Sequence, residues 1–123
     1  MALILFIDDE PLTLKLLSQA ADIVGHEAIT SETADEGLRK AEEFCPDLIL
    51  LDLNLREMDG RTVHKLLREN EATASIPVIF LSAGVNMNTA DLVQTEGANG
   101  YLEKPIRLQT LLDVIREFTD EAG

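Results

Sequence analysis

Residues 3–11, LILFIDDEP, decide the fold. Leu3 to Ile7 form an unbroken apolar run that does not alternate, so it reads as a strand buried on both faces, as in a parallel sheet covered on each side by helices. The run ends abruptly in three carboxylates, Asp8, Asp9 and Glu10, and helical periodicity begins at Pro11. A buried strand that stops in clustered acids sets two questions: what surrounds the strand, and what the acids hold.

Working outward, apolar runs alternate with helical stretches to the end of the chain, the pattern of repeated βα units. From Pro11 a helix carries Leu16, Leu17, Ala20, Ala21 and Val24 at three- and four-residue steps and closes on Gly25. Glu27 to Thr30 predict a short second strand. Thr33-Ala34-Asp35-Glu36 is a capping box opening a helix that runs to Phe44, before Pro46 breaks it. Leu48 to Leu51 predict a third buried strand ending in Asp52, and a loop through Met58-Asp59-Gly60 leads to a helix carrying Val63, Leu66 and Leu67. The fourth strand spans Val78 to Leu81 and ends at Ser82. The fifth spans Tyr101 to Glu103 and ends at Lys104-Pro105. Between them GVNMNTADLVQTEGANG offers only Ala90, Leu92, Val93 and Ala98 to bury, which predicts a short, loosely held helix. A last helix presents Leu108, Leu111, Leu112, Ile115 and Phe118 on one face. The expectation is a single α/β domain over residues 1–123, with five parallel strands and helices on both faces.

Composition agrees with one core and narrows the function. The chain has 123 residues, 46% of them hydrophobic, and a formal net charge of -13, so its average field repels nucleic-acid phosphates and anionic lipid. Direct nucleic-acid binding and a membrane partner are therefore not expected. One cysteine, Cys45, excludes an internal disulfide and a cysteine metal cluster; it is read as a packing residue. The first apolar run is too short for a signal peptide, and no run could span a bilayer, so a cytoplasmic protein is expected.

In a parallel sheet the carboxyl ends of all strands share one edge, where ligands bind at the switch in strand order. This chain places Asp8, Asp9, Asp52, Ser82 and Lys104 there. Taken singly, each is an ordinary cap or turn residue; the joint pattern is improbable by chance. Two carboxylates ~4 Å apart repel by about 4 kcal/mol at an effective dielectric near 20. Such a cluster must hold a proton or bind a cation. All-oxygen ligands with room for water suit Mg2+ better than a full calcium cage. Glu10 is expected to face away, into the first turn of the helix. His26 and His64 lie outside the set and are read as structural.

FIDDEP at Asp8-Asp9, LILLDLNLREMDG around Asp52, VIFLSA at Ser82 and GANGYLEKP from Tyr101 to Pro105, in this order and at strand ends, resemble the receiver domain of two-component response regulators. The resemblance covers essentially the whole chain and implies a flavodoxin-like sheet of order 2-1-3-4-5. It implies that Asp52 accepts a phosphoryl group from a phosphohistidine on a sensor histidine kinase or histidine phosphotransfer protein. Asp9, Asp52 and the backbone carbonyl of Asn54 would ligate Mg2+, with Asp8 acting through a water. Lys104 and the Ser82 hydroxyl would take the phosphoryl oxygens, and Ser82 and Tyr101 would form the switch that alters binding of a downstream protein target or output domain. By the same resemblance the protein is a monomer or weak dimer, and the bond before Pro105 is cis.

Two departures from the family pattern stand out. Arg56 occupies a position where many receivers have proline, which puts a positive charge near the metal site, and GANGY replaces a GADDY segment found in members that dimerise. By the same resemblance Asn54 and Gly84 occupy positions that modulate access of hydrolytic water to the acyl phosphate; both are small enough to admit it, so a phosphorylated lifetime of seconds to minutes is expected. Two other functions compete: a pseudo-receiver binding module, which the intact Asp9, Asp52, Ser82 and Lys104 oppose, and a Mg2+-dependent phosphoaspartate-type phosphatase. The phosphatase needs a general acid where this chain has Asn54. A signalling module with chemistry only on itself, rather than a turnover enzyme, is the expectation.

Overall fold

A computed structural model describes residues 2–83 and 97–119. The elements are β1 (Leu3–Ile7), α1 (Pro11–Ile23), β2 (Glu27–Ser31), α2 (Ala34–Phe44), β3 (Leu48–Asp52), α3 (Gly60–Glu69), β4 (Val78–Ser82), β5 (Gly100–Glu103) and α4 (Leu108–Thr119). All strand pairs are parallel and the order is β2-β1-β3-β4-β5. This is the flavodoxin-like order that the resemblance implies. The helix expected between the fourth and fifth strands, with Ala90, Leu92 and Val93, lies outside the described residues, as does Gly84.

The non-alternating strands are buried on both faces because each face has its own core. Ile4 and Phe6 of β1, Leu48 and Leu50 of β3, Ile79 and Leu81 of β4 and Leu102 of β5 point to one side, where α1 and α4 cover them with Leu14, Leu17, Ala20, Leu111 and Ile115. Leu5, Ile7, Ile49, Leu51, Val78 and Phe80 point to the other, under α2 and α3, which supply Ala34, Ala41, Val63 and Leu67. A period of two along each strand thus fills two cores at once.

Local signals place the helix ends. Pro11 opens α1, Thr33 Oγ1 caps α2 by accepting the Glu36 N–H at 3.2 Å, and Gly25 adopts φ +79° just past α1, where a side chain would be strained. Three expectations fail in phase. Leu16, Leu66 and Leu108, which belong to the apolar periodicity of their helices, are 36%, 38% and 43% exposed. In α1 the stripe runs through Leu14, Leu17 and Ala21, and Leu16 falls at its margin; in α3 Val63, His64 and Leu67 take the inner face. Cys45 is exposed rather than packed, because it is the left-handed C-cap of α2 with φ 46°. No described helix is long and apolar enough to cross a membrane.

Candidate functional site

The parallel register delivers the acidic residues to one edge. Asp8 follows β1, and its backbone N–H donates to Ser31 O at 3.0 Å, which extends the sheet by one bond and buries the residue completely. Its Oδ1 accepts the Glu10 N–H at 2.9 Å, a local turn that sets the carboxylate across the start of α1. Asp52 ends β3, its Oδ1 accepting the Asn54 N–H at 3.0 Å. Lys104 follows β5, and its backbone N–H donates to the carbonyl of Ser82 at 2.6 Å, which locks the β4 and β5 ends together. Ser82 is buried at the end of β4, and the Lys104-Pro105 bond is cis.

Lys104 gathers the site. Its Nζ lies 2.8 Å from Asp8 Oδ2, 3.3 Å from Asp52 Oδ2 and 3.2 Å from Glu10 Oε1. Glu10 therefore does not face away as expected; it leans over the site and takes a share of the ammonium. Nothing local to the sequence around Glu10 signals this, because Lys104 reaches it only through the fold. Asp9 is partly buried, with Oδ2 3.5 Å from Arg56 Nε, so the charge expected near the site is there. Tyr101 is partly buried and packs on the core beneath α2 and α3.

His64 and His26 do not join the cluster. His64 is buried edge-on against Phe80, with ring centroids 5.4 Å apart. The Nδ1 of His26 accepts the Ala2 N–H, which ties the amino terminus to the start of β2.

The electrostatics follow from one ammonium among several carboxylates. Burial pushes the Asp8 pKa up; the contact with Lys104 and the Glu10 N–H oppose this, and the Asp52 charge adds to it. Burial acts to lower Lys104, but its contact with Asp8 and the charges of Asp52 and Asp8 win and push it up to about 12. Burial thus holds the proton on Asp8, with the Asp52 charge adding to it, while the surplus negative charge of the site holds the proton on Lys104.

A divalent cation fits this surplus. One oxygen from each of Asp8, Asp9 and Asp52 lies within 4.8 Å of the others, and Asp8 Oδ2, fully buried, makes an ion pair with Lys104 but no well-directed hydrogen bond. A hard, all-oxygen donor set of this kind suits Mg2+.

Known proteins share this architecture. The response regulator receiver domain family matches residues 4–116. The polar-differentiation response regulator DivK of Brucella ovis is 30% identical over 119 residues, covering 97% of this chain and 97% of DivK. The solved chemotaxis protein CheY4 of Vibrio cholerae is 27% identical with a TM-score of 0.89, covering 96% of this chain and 98% of that one. NtrX of Brucella abortus is 28% identical with a TM-score of 0.87, covering 97% of this chain and 27% of that one. The same unit recurs as nearly all of one protein and as a fraction of another.

Proposed function

Because the chain belongs to the response regulator receiver domains, the phosphoacceptor modules of two-component signalling, we propose that Asp52 is its phosphoacceptor and that the residues around Lys104 serve that transfer. The observation that carries the reading is the convergence of Asp8, Asp52 and Lys104, from the ends of three strands, within 3.3 Å of one ammonium.

In this reading one Asp52 oxygen attacks phosphorus while the bond from phosphorus to the donor imidazole nitrogen breaks, and the electron pair returns to that ring. The Asn54 N–H on Oδ1 and the Lys104 ammonium on Oδ2 fix the carboxylate plane before attack. Lys104 neutralises phosphoryl oxygens as they arrive, and the Ser82 hydroxyl donates to one of them. Asp8, Asp9, Asp52 and the Asn54 carbonyl would hold Mg2+, which screens the repulsion between the acids and the incoming anion. Water attack on the acyl phosphate then returns Asp52 and releases phosphate, so the chemistry is confined to the protein's own side chain.

Phosphorylation adds about -1.5 to -2 charge beside Lys104. Ser82 moves toward the phosphoryl group and Tyr101 turns into the space beside it, which changes the surface offered to a target or output domain. The donor is a sensor histidine kinase or histidine phosphotransfer protein. Such donors draw on ATP, so the reaction belongs to the cytoplasm.

The test is incubation with acetyl phosphate, with and without Mg2+, followed by intact mass. A Mg2+-dependent phosphoryl adduct that Asp52→Ala abolishes supports the reading. A folded protein that forms no adduct would be a pseudo-receiver.

A further inference from the structure

Lys104 and Arg56 divide the clustered acids between them. The carboxylate partners of Lys104 are Asp8, Asp52 and Glu10; Asp9 is paired instead with Arg56, at 3.5 Å. The two cations differ in how they are held. Lys104 is 16% exposed and anchored by three carboxylates, whereas the Arg56 side chain is 81% exposed and makes this single ion pair among the described residues.

The loop that carries Arg56 is pinned near its root. Asn54 donates its N–H to Asp52 and forms an isolated bridge with Asp59, and Leu55 is buried. The backbone at Arg56 is therefore held near Asp9, while the exposed length of the side chain leaves the guanidinium room to swing outward. It cannot leave by losing its proton, because an arginine keeps its charge at any working pH. A divalent ion held by the cluster needs the Asp9 carboxylate and repels a neighbouring cation.

We propose that Arg56 is a resident counter-ion that competes with the divalent cation for Asp9 and so sets the cation concentration at which the site fills. Arg56 acts through Asp9 and is a positioning residue rather than a catalytic one. The proposal rests on the reading of Asp8, Asp9 and Asp52 as a divalent site. An exposed pair of this kind contributes little to folding, so metal affinity, not stability, is where its removal registers.

The test is calorimetric titration with MgCl2 at fixed ionic strength of wild type, Arg56→Gln, Arg56→Lys, Arg116→Gln and Asp9→Asn. Arg116 is an exposed residue in the last turn of α4, and its variant controls for the loss of one charge far from the site. Arg56→Gln should bind Mg2+ about three- to tenfold tighter than wild type, Arg56→Lys should return toward wild type, and Arg116→Gln should change affinity less than about twofold. The gap between wild type and Arg56→Gln should narrow as KCl rises. Arg56→Gln affinity equal to that of Arg116→Gln, or weaker than wild type, overturns the counter-ion role while leaving the metal site in place. Absence of saturable binding by wild type, or binding by Asp9→Asn equal to wild type, overturns the divalent reading itself and the counter-ion role with it.

Discussion

Replacing Gly60 by alanine should damage both stability and phosphoryl acceptance, for a reason visible at one contact. Gly60 is the first residue of α3, and a Cβ there would stand 2.5 Å from Asp52 O, 2.7 Å from Leu53 Cα and 3.1 Å from the Asp52 carbonyl carbon. Unstrained carbon contacts need roughly 3.5 Å, so β3 and α3 must separate by about an ångström. All three atoms are backbone, so no rotamer relieves the clash. Separation also stretches the bond from the Gly60 N–H to Leu53 O, now 2.8 Å. Overpacking of about 1–3 kcal/mol and a weakened hydrogen bond of about 1 kcal/mol give an expected loss of about 2–4 kcal/mol. For a domain of this size the melting temperature should fall by roughly 6–20 °C. Urea denaturation followed by far-ultraviolet circular dichroism measures the loss, and the rate of adduct formation from acetyl phosphate, at a temperature where the variant is folded, measures displacement of Asp52. A shift of about 1 Å predicts a rate at least about tenfold lower. Gly37→Ala is the comparison, because the nearest atoms to its Cβ, from 2.6 Å, all belong to the Ile7 side chain rather than to the backbone. A Gly60→Ala protein within about 0.5 kcal/mol of wild type, or less damaged than Gly37→Ala, would refute the argument.

Asp8→Asn should stabilise the metal-free protein at neutral pH, since burial raises the Asp8 pKa above its ordinary 3.8 and the native state therefore binds more protons than the unfolded chain between those two values. Wild-type stability falls as pH rises through that window, so the advantage of the Asp8→Asn variant over wild type should open across it and vanish below the ordinary value; urea titrations in EDTA that show no such opening would contradict the sign. The Lys104 pKa is raised from 10.5 to about 12, so its contribution of about 1–2 kcal/mol is fully present below 10.5 and lost as pH rises through about 12. Lys104→Met should accordingly be destabilised by about that amount at pH 8, with the deficit shrinking toward pH 12, as read by the same denaturation. Mg2+ at about a hundred times its dissociation constant should stabilise wild type by about 2.7 kcal/mol in thermal melts, and an equal gain in Asp9→Asn would argue against the proposed ligand set.

Which of these effects could be foreseen from the chain alone depends on how far apart the partners lie in sequence. Strand bounds came within a residue or so because buried parallel strands are continuous apolar runs, and the start of α2 was legible because Thr33 and Glu36 signal it locally. The phase of the helix stripes was less legible. Leu16, Leu66 and Leu108 are apolar and sit beside the inner face, and only packing against the sheet decides which neighbours the core admits. Cys45 misled because residue type favours burial while its left-handed capping position forces it outward.

The sequence by itself determined that Asp8, Asp9, Asp52, Ser82 and Lys104 would share one sheet edge, because parallel strands point their carboxyl ends one way and each of these residues ends or follows a strand. Tertiary structure decided who pairs with whom. Lys104 finds Asp52 across 52 positions and Glu10 across 94, while Asp9 is left to Arg56. Ion pairs form over a few ångströms in space. No local pattern encodes which of several carboxylates an ammonium reaches until strand register and loop path have set those distances.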